Sequence, residues 1–215
     1  MRVKICGITT VEEIQMAERA GAHAVGFLVG RLHASRDFLE PDRARELARM
    51  VPPFLVPVLV THIEDGGEIL ALAEHVPTAA VQLHSDLPAD VLRELRARLA
   101  PRKVIGKVSV EDDTAIARAR EIEGFVDAIV LDSRDRASGR VGGTGTTHDW
   151  SISARIVEGS RVPVILAGGL TPENVADAVR TVRPWAVDVN SGVETADGRK
   201  DPHRLARFVA AAGDS

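Results

Sequence analysis

The 215-residue chain has one cysteine, no tyrosine and only 3% aromatic residues, and each scarcity excludes something. One thiol cannot close a disulfide within the chain, so the fold stands on its core alone. Few rings leave few platforms for stacking bases, and a net charge of −4 with a pI near 6.0 leaves no basic field for a phosphate backbone. Nucleic acid is not an expected partner. The longest apolar runs, such as residues 54–60, are strand-sized and fall far below the roughly 18 residues that span a bilayer, so a membrane is not expected either. The N-terminus enters an apolar strand without the charged, apolar and small-residue regions of a signal peptide, and the expected location is the cytoplasm. What is present, 45% hydrophobic and 27% charged residues, suits one soluble domain spanning residues 1–215.

The single thiol ends the first strand, in Arg2-Val3-Lys4-Ile5-Cys6-Gly7. Period-two alternation puts Lys4 and Cys6 on one face and Val3 and Ile5 on the other. A charged lysine is an odd companion for a thiol that serves only as a small core residue. Behind it, Thr10 followed by Glu13 fits a capping box opening a helix that Gly21 ends. The strand–loop–helix unit then recurs, with strands expected at 24–28, 54–60, 79–83, 103–108, 128–131, 163–167 and 186–189. Pro41, Thr171-Pro172 and Asp201-Pro202 read as helix starts. Eight such units of about 25 residues each, with no linker, predict a (β/α)8 barrel, in which the loops after the strands gather on one face and carry the site.

That face receives Cys6, His62, His84, Asp132, the Gly168-Gly169 loop and the Ser191-Gly192 loop. Glycine loops after strands seven and eight offer backbone N–H groups to an anion such as a phosphate. Residues 142–145, Gly-Gly-Thr-Gly, add a further donor-rich or mobile loop. Alternation aims Asp132 at the barrel mouth and sends Asp188 inward beside Lys4, as its ion-pair partner behind the site. A metal centre is not expected, because strand seven ends in Ala-Gly-Gly and strand two offers neither His nor Asp at its end. A thiol and a carboxylate above a phosphate grip suit proton transfer on a phosphosugar, with thiolate as base and carboxylic acid as acid.

Taken in order, Lys4-Ile5-Cys6-Gly7-Ile8-Thr9, Val81-Gln82-Leu83-His84, Leu131-Asp132-Ser133, Gly142-Gly143-Thr144-Gly145 with Asp149-Trp150, Leu166-Ala167-Gly168-Gly169-Leu170 and Val187-Asp188-Val189 with Ser191-Gly192-Val193-Glu194 resemble the phosphoribosylanthranilate isomerase family of tryptophan biosynthesis. The resemblance implies a cofactor-free barrel that performs an Amadori rearrangement on a phosphoribosyl amine and acts as a monomer. Carried onto this chain, Cys6 is the general base at sugar C2 and Asp132 the general acid at the ring oxygen. His84 is implied as a substrate contact, and the backbone around Gly143, Gly168, Gly169, Ser191 and Gly192 as the phosphate grip. Three segments depart from the family pattern. Residues 30–38 lack the usual Ser-x-Arg-Tyr spacing, leaving Arg36 or Arg31 to meet the substrate carboxylate; His62 follows Val60-Thr61 where Phe-Val-Asn is common; and His148 stands where Phe usually precedes Asp-Trp. All three lie where the aryl group would be recognised. Two other readings therefore stay open: an isomerase for a different N-phosphoribosyl amine, and a phosphosugar-binding barrel without turnover.

Overall fold

The structure is a computed structural model that describes residues 1–30, 36–133 and 148–213. Its first half runs β1 (Arg2–Ile5), α1 (Val11–Arg19), β2 (Ala24–Val29), β3 (Phe38–Leu39), α2 (Pro41–Arg49), β4 (Val56–Thr61), α3 (Gly66–His75), β5 (Ala80–Leu83) and α4 (Ala89–Leu99). The second half runs β6 (Lys103–Val110), α5 (Thr114–Ile122), β7 (Ala128–Ser133), α6 (Trp150–Gly159), β8 (Val164–Leu166), α7 (Val175–Val182), β9 (Ala186–Val189) and α8 (Pro202–Gly213). All strand pairings are parallel. The order is β1-β9-β8-β7-β6-β5-β4-β2, and β1 pairs with β2 to close the ring. This is the (β/α)8 barrel that the alternation of units predicts. The two-residue β3 lies outside that count: it pairs Phe38 with Leu28 on β2, whose first residues face β1.

The strands feed two cores because successive side chains point to opposite faces. Val3, Ile5, Val25, Phe27, Leu59 and Val81 belong to the shell between barrel and helices. Their alternates, including Cys6, Leu28, Val58, Val60, Val130 and Ala167, fill the barrel interior. The helices meet the outer shell with a single stripe each, Ala44, Leu47 and Ala48 on α2 and Leu205, Phe208 and Ala212 on α8. A fully buried ring such as Phe208 is worth about 2–3 kcal/mol of transfer free energy. Among the described residues no helix is long and apolar enough to cross a membrane.

Several strand ends lie one or two residues from the expected positions, and two boundaries have a clear local cause. The strand expected from residue 54 begins at Val56, and Phe54 is 98% exposed. Hydropathy alone extends the run there, but Pro52 and Pro53 hold a turn ahead of the sheet in which Leu55 N–H bonds the Pro52 carbonyl. The helix expected from Thr171-Pro172 begins four residues later, at Val175. Thr171 instead opens a turn closed by the Asn174 side chain, which accepts from Thr171 N–H at 2.8 Å and donates to the Gly169 carbonyl at 3.0 Å. Asn174 thus ties the glycine loop after β8 to the helix that follows it.

The capping box on α1 forms as expected, with Glu13 N–H donating to Thr10 Oγ1 at 3.2 Å. Glu13 does more than cap. Its Oε2 accepts from Thr9 N–H at 2.7 Å and Thr10 N–H at 3.2 Å, and its Oε1 accepts from Lys200 N–H at 3.3 Å across the barrel mouth. Thr10→Ala should cost about 1 kcal/mol in urea unfolding. Glu13→Ala should cost clearly more, because it also strands the buried Lys200 N–H; equal losses would show that the long-range bond contributes nothing.

Candidate active site

The site is built at the C-terminal ends of the strands, where inward parity delivers polar side chains. On β1, Lys4 points inward beneath Cys6, and its Nζ lies 2.7 Å from Asp188 Oδ2 on β9, with both side chains buried. The register explains the meeting, since Lys4 and Asp188 are direct partners in the β1–β9 ladder. Asp188 Oδ1, also buried, has no hydrogen-bond partner among the described residues. Burial would discharge Lys4, but Asp188 and then Cys6 outweigh it and hold the ammonium form above its ordinary range. Burial pushes the Cys6 thiol up to about 11, against the pull of the Lys4 charge.

Asp132 closes β7 and faces the same interior. Its Oδ2 lies 3.0 Å from His84 Nε2, and its Oδ1 accepts the Ser133 N–H at 2.8 Å. Gln82 Nε2 meets His84 Nδ1 at 3.1 Å, which fixes the imidazole from behind. Burial works to raise the Asp132 carboxyl, but the His84 hydrogen bond and charge, with Lys107 and the Ser133 N–H, hold it below the usual carboxylate range. Asp132 is therefore an anion at neutral pH. Gly168, at φ +84, packs its backbone against this group; a Cβ there would sit 2.8 Å from Asp132 Oδ1 and closer still to Ser133. Only glycine allows that approach. The glycine loop expected to hold phosphate and the carboxylate expected to act as acid are thus in contact.

The remaining sequence-predicted residues distribute as follows. His84 stands beside Asp132. Gly169, at φ +67, and the turn Ser191–Val193 lie on the same rim, where the Gly192 carbonyl accepts from Arg204 Nη2 at 3.0 Å. Arg36 is exposed, and its guanidinium bonds the Asp197 carbonyl of the loop after β9. Arg31 and Gly143, with the whole stretch 142–145, lie outside the described residues. His62 is buried with its ring 5.3 Å from Phe38 and 4.7 Å from His84. His148 bridges Ser133 Oγ at 3.3 Å and Ser153 Oγ at 2.6 Å, and burial holds its imidazole toward the neutral form.

Two buried lysines escape the sequence reading. Lys107 sits on β6 with the inward parity of Ile105, and that alternation was the available signal. Lys200 belongs to no strand or helix. Its Nζ meets Glu194 Oε1 and Asn190 Oδ1 at 2.5 Å each, and Asn190 Nδ2 in turn donates to Asp37 Oδ2 at 2.8 Å. With the Glu13 contact, this cluster ties together the loops after β1, β2 and β9.

A model of the N-(5'-phosphoribosyl)anthranilate isomerase family matches residues 3–211. The chain belongs to this family. Among curated relatives, N-(5'-phosphoribosyl)anthranilate isomerase 2 of Methanosarcina mazei is 44% identical over 209 residues, which is 97% of this chain and 92% of that one. Among solved structures, the phosphoribosyl anthranilate isomerase of Thermotoga maritima superimposes with a TM-score of 0.87 at 36% identity, over the full length of both chains. A phosphoribosyl anthranilate isomerase in complex with reduced 1-(o-carboxyphenylamino)-1-deoxyribulose 5-phosphate gives a TM-score of 0.84 at 35% identity, again over all of both chains. As a member of the phosphoribosylanthranilate isomerase family the chain is an isomerase of the Amadori type.

The titration of the interior has a consequence for stability. An unfolded thiol ionises near 9.0, whereas the folded protein holds its proton to about 11. A raised folded value adds stability that is complete below the unfolded value and is lost as pH climbs through the folded one. Lys4, also raised, acts in the same direction at higher pH. Urea unfolding should therefore show stability falling by on the order of 2 kcal/mol between pH 9 and 11, and Cys6→Ser should flatten that part of the curve. Stability that rises over this window, or a slope unchanged in the variant, would contradict the assignment.

Proposed function

We propose that this chain converts N-(5'-phosphoribosyl)anthranilate into 1-(2-carboxyphenylamino)-1-deoxyribulose 5-phosphate without a cofactor, with Cys6 as general base and Asp132 as general acid. The observation that carries the reading is the convergence of β1 and β7: the only thiol and a His84-bound carboxylate enter one barrel mouth, the carboxylate against the Gly168 backbone.

The chemistry needs such a pair. Opening the furanose requires a proton on the ring oxygen, and the iminium so formed acidifies C2. Removal of the C2 proton gives an enolamine, and protonation at C1 with loss of the C2 hydroxyl proton yields the ketose. Asp132 takes the first role in its carboxylic-acid form, oriented by His84 Nε2 3.0 Å away. Cys6 takes the second as thiolate, next to the Lys4 ammonium. Thiolate with carboxylic acid holds the same number of protons as the resting thiol with carboxylate, so reaching the reactive form moves one proton and adds none.

The backbone at Gly168, Gly169, Ser191 and Gly192 is assigned to the phosphate, supported by left-handed glycines at 168 and 169 and by the Asn174 and Arg204 bonds that fix these loops. Arg36 is the described arginine for the anthranilate carboxylate. Its present partner is a neutral carbonyl, which a carboxylate displaces in favour of a charge-assisted bond. The edge-on contact of His62 with Phe38 and its tilted contact with His84, at the side assigned to the aryl group, are what favour the second reading, turnover of another N-phosphoribosyl amine.

Assay of the purified protein on freshly made phosphoribosylanthranilate separates these readings. Turnover to the ketose supports the first; none, despite a folded protein, sinks it. Asp132→Asn should lower turnover by on the order of 10²–10⁴, and retention of activity within a few-fold would remove Asp132 from the acid role.

A further inference from the structure

The proposed base sits in an environment that works against it. Cys6 is buried and its thiol is held near 11, so something must favour the thiolate when the C2 proton is to be taken. The groups that face it are Lys4 on its own strand, Asp188 on β9 and Lys200 from the loop beyond β9; β2, the strand on its other side, presents no ionisable group there but Gly26. Lys4 Nζ is hydrogen-bonded to Asp188, and its charge favours the Cys6 thiolate.

Gly26 is where the packing allows this. It lies in ordinary extended strand, with none of the left-handed φ that glycine serves elsewhere in the chain. A Cβ at this position would stand 2.9 Å from Cys6 Sγ, 3.1 Å from Lys4 Cε and 3.1 Å from Lys4 Nζ. No conformational need calls for glycine, whereas the space a methyl group would take is filled by the two reactive ends. We infer that Gly26 is a positioning residue for the reaction: its missing side chain lets the Lys4 ammonium, anchored on Asp188, lie against Cys6 Sγ and hold the thiolate that accepts the substrate proton.

The inference rests on Cys6 being the base, but its test reads the thiol directly. The chain has one cysteine and no tyrosine, so the ultraviolet absorbance gained on alkaline titration reports Cys6 alone. At about pH 10, Lys4→Met should show roughly a tenth of the wild-type thiolate, as expected from loss of a neighbouring positive charge. Gly26→Ala, which the strand backbone accepts, should shift in the same direction and lower kcat while KM stays within about twofold. The double variant Lys4→Met/Asp188→Asn leaves no uncompensated buried charge and should shift the thiol in the same direction as Lys4→Met but by less, because the Asp188 charge that opposes the thiolate is gone as well; it covers the case in which the single variant does not fold. An unchanged or larger thiolate fraction in the lysine variants overturns the inference; a shift in them without one in Gly26→Ala overturns the role of Gly26. If the shifts appear and Cys6→Ser nonetheless turns over normally, the base assignment fails while the packing account stands.

Discussion

The Lys4–Asp188 ion pair, 2.7 Å long and buried between neighbouring strands, is the constraint on which the site depends. Two charges taken out of water cost several kcal/mol each, and only close pairing in good geometry offsets that loss. The β1–β9 register supplies the geometry by placing the two residues opposite each other at the seam that closes the barrel. A slip of one residue would turn Lys4 into the apolar shell under the helices and leave Asp188 alone inside. The pair thus opposes that slip, and in holding the register it also fixes Cys6 two residues on, at the mouth.

The two halves of the proposed reactive centre are controlled by different physics. The thiol side is set by burial and by the charges of Lys4, Asp188 and Lys200; the carboxylate side is set by directed bonds from His84 and Ser133, with Gly168 packed behind. The first keeps its proton and the second gives it up, and the same opposition makes the pair sensitive to what enters between them. Around both, a shell of side chains distant in sequence fixes the loops. Lys200 joins Glu13, Asn190 and Glu194, Asn190 reaches Asp37, and Asn174 and Arg204 hold the carbonyls of Gly169 and Gly192. These bonds tie down the glycine loops of the rim, and nearby the imidazole of His62 packs against Phe38.

Much of this was legible in the sequence because alternation is a local property. The period of two that puts Lys4 beside Cys6, and Asp132 on the face of Val130, needs no knowledge of the partner strands. Eight recurrences of strand and helix were enough for the barrel. What could not be read is whatever depends on meetings across the mouth. Lys200 lies in a loop with no periodicity, and its significance arises from Glu194, Asn190 and the distant Glu13. Phe54 continues an apolar run but falls outside the sheet because Pro52 and Pro53 turn the chain first, and Thr171-Pro172 mimics a helix start while Asn174 bends the chain into a turn. Arg36, with Arg31 as its alternative, was singled out by resemblance to the family's Ser-x-Arg-Tyr segment, whereas its bond to the Asp197 carbonyl follows from how the loop after β9 folds back, as Glu194 pairs with Lys200. The family motifs carried the reaction, and the geometry then supplied the environment of each group.

The central claim is that one thiol removes the proton from sugar C2. The most direct measurement is steady-state turnover of phosphoribosylanthranilate by Cys6→Ser, with folding checked by circular dichroism. A hydroxyl in place of the thiol keeps the shape and removes a group that can ionise in the accessible range, so turnover should fall by on the order of 10²–10⁴ with little change in KM. A serine variant that turns over within a few-fold of the wild type would contradict the account.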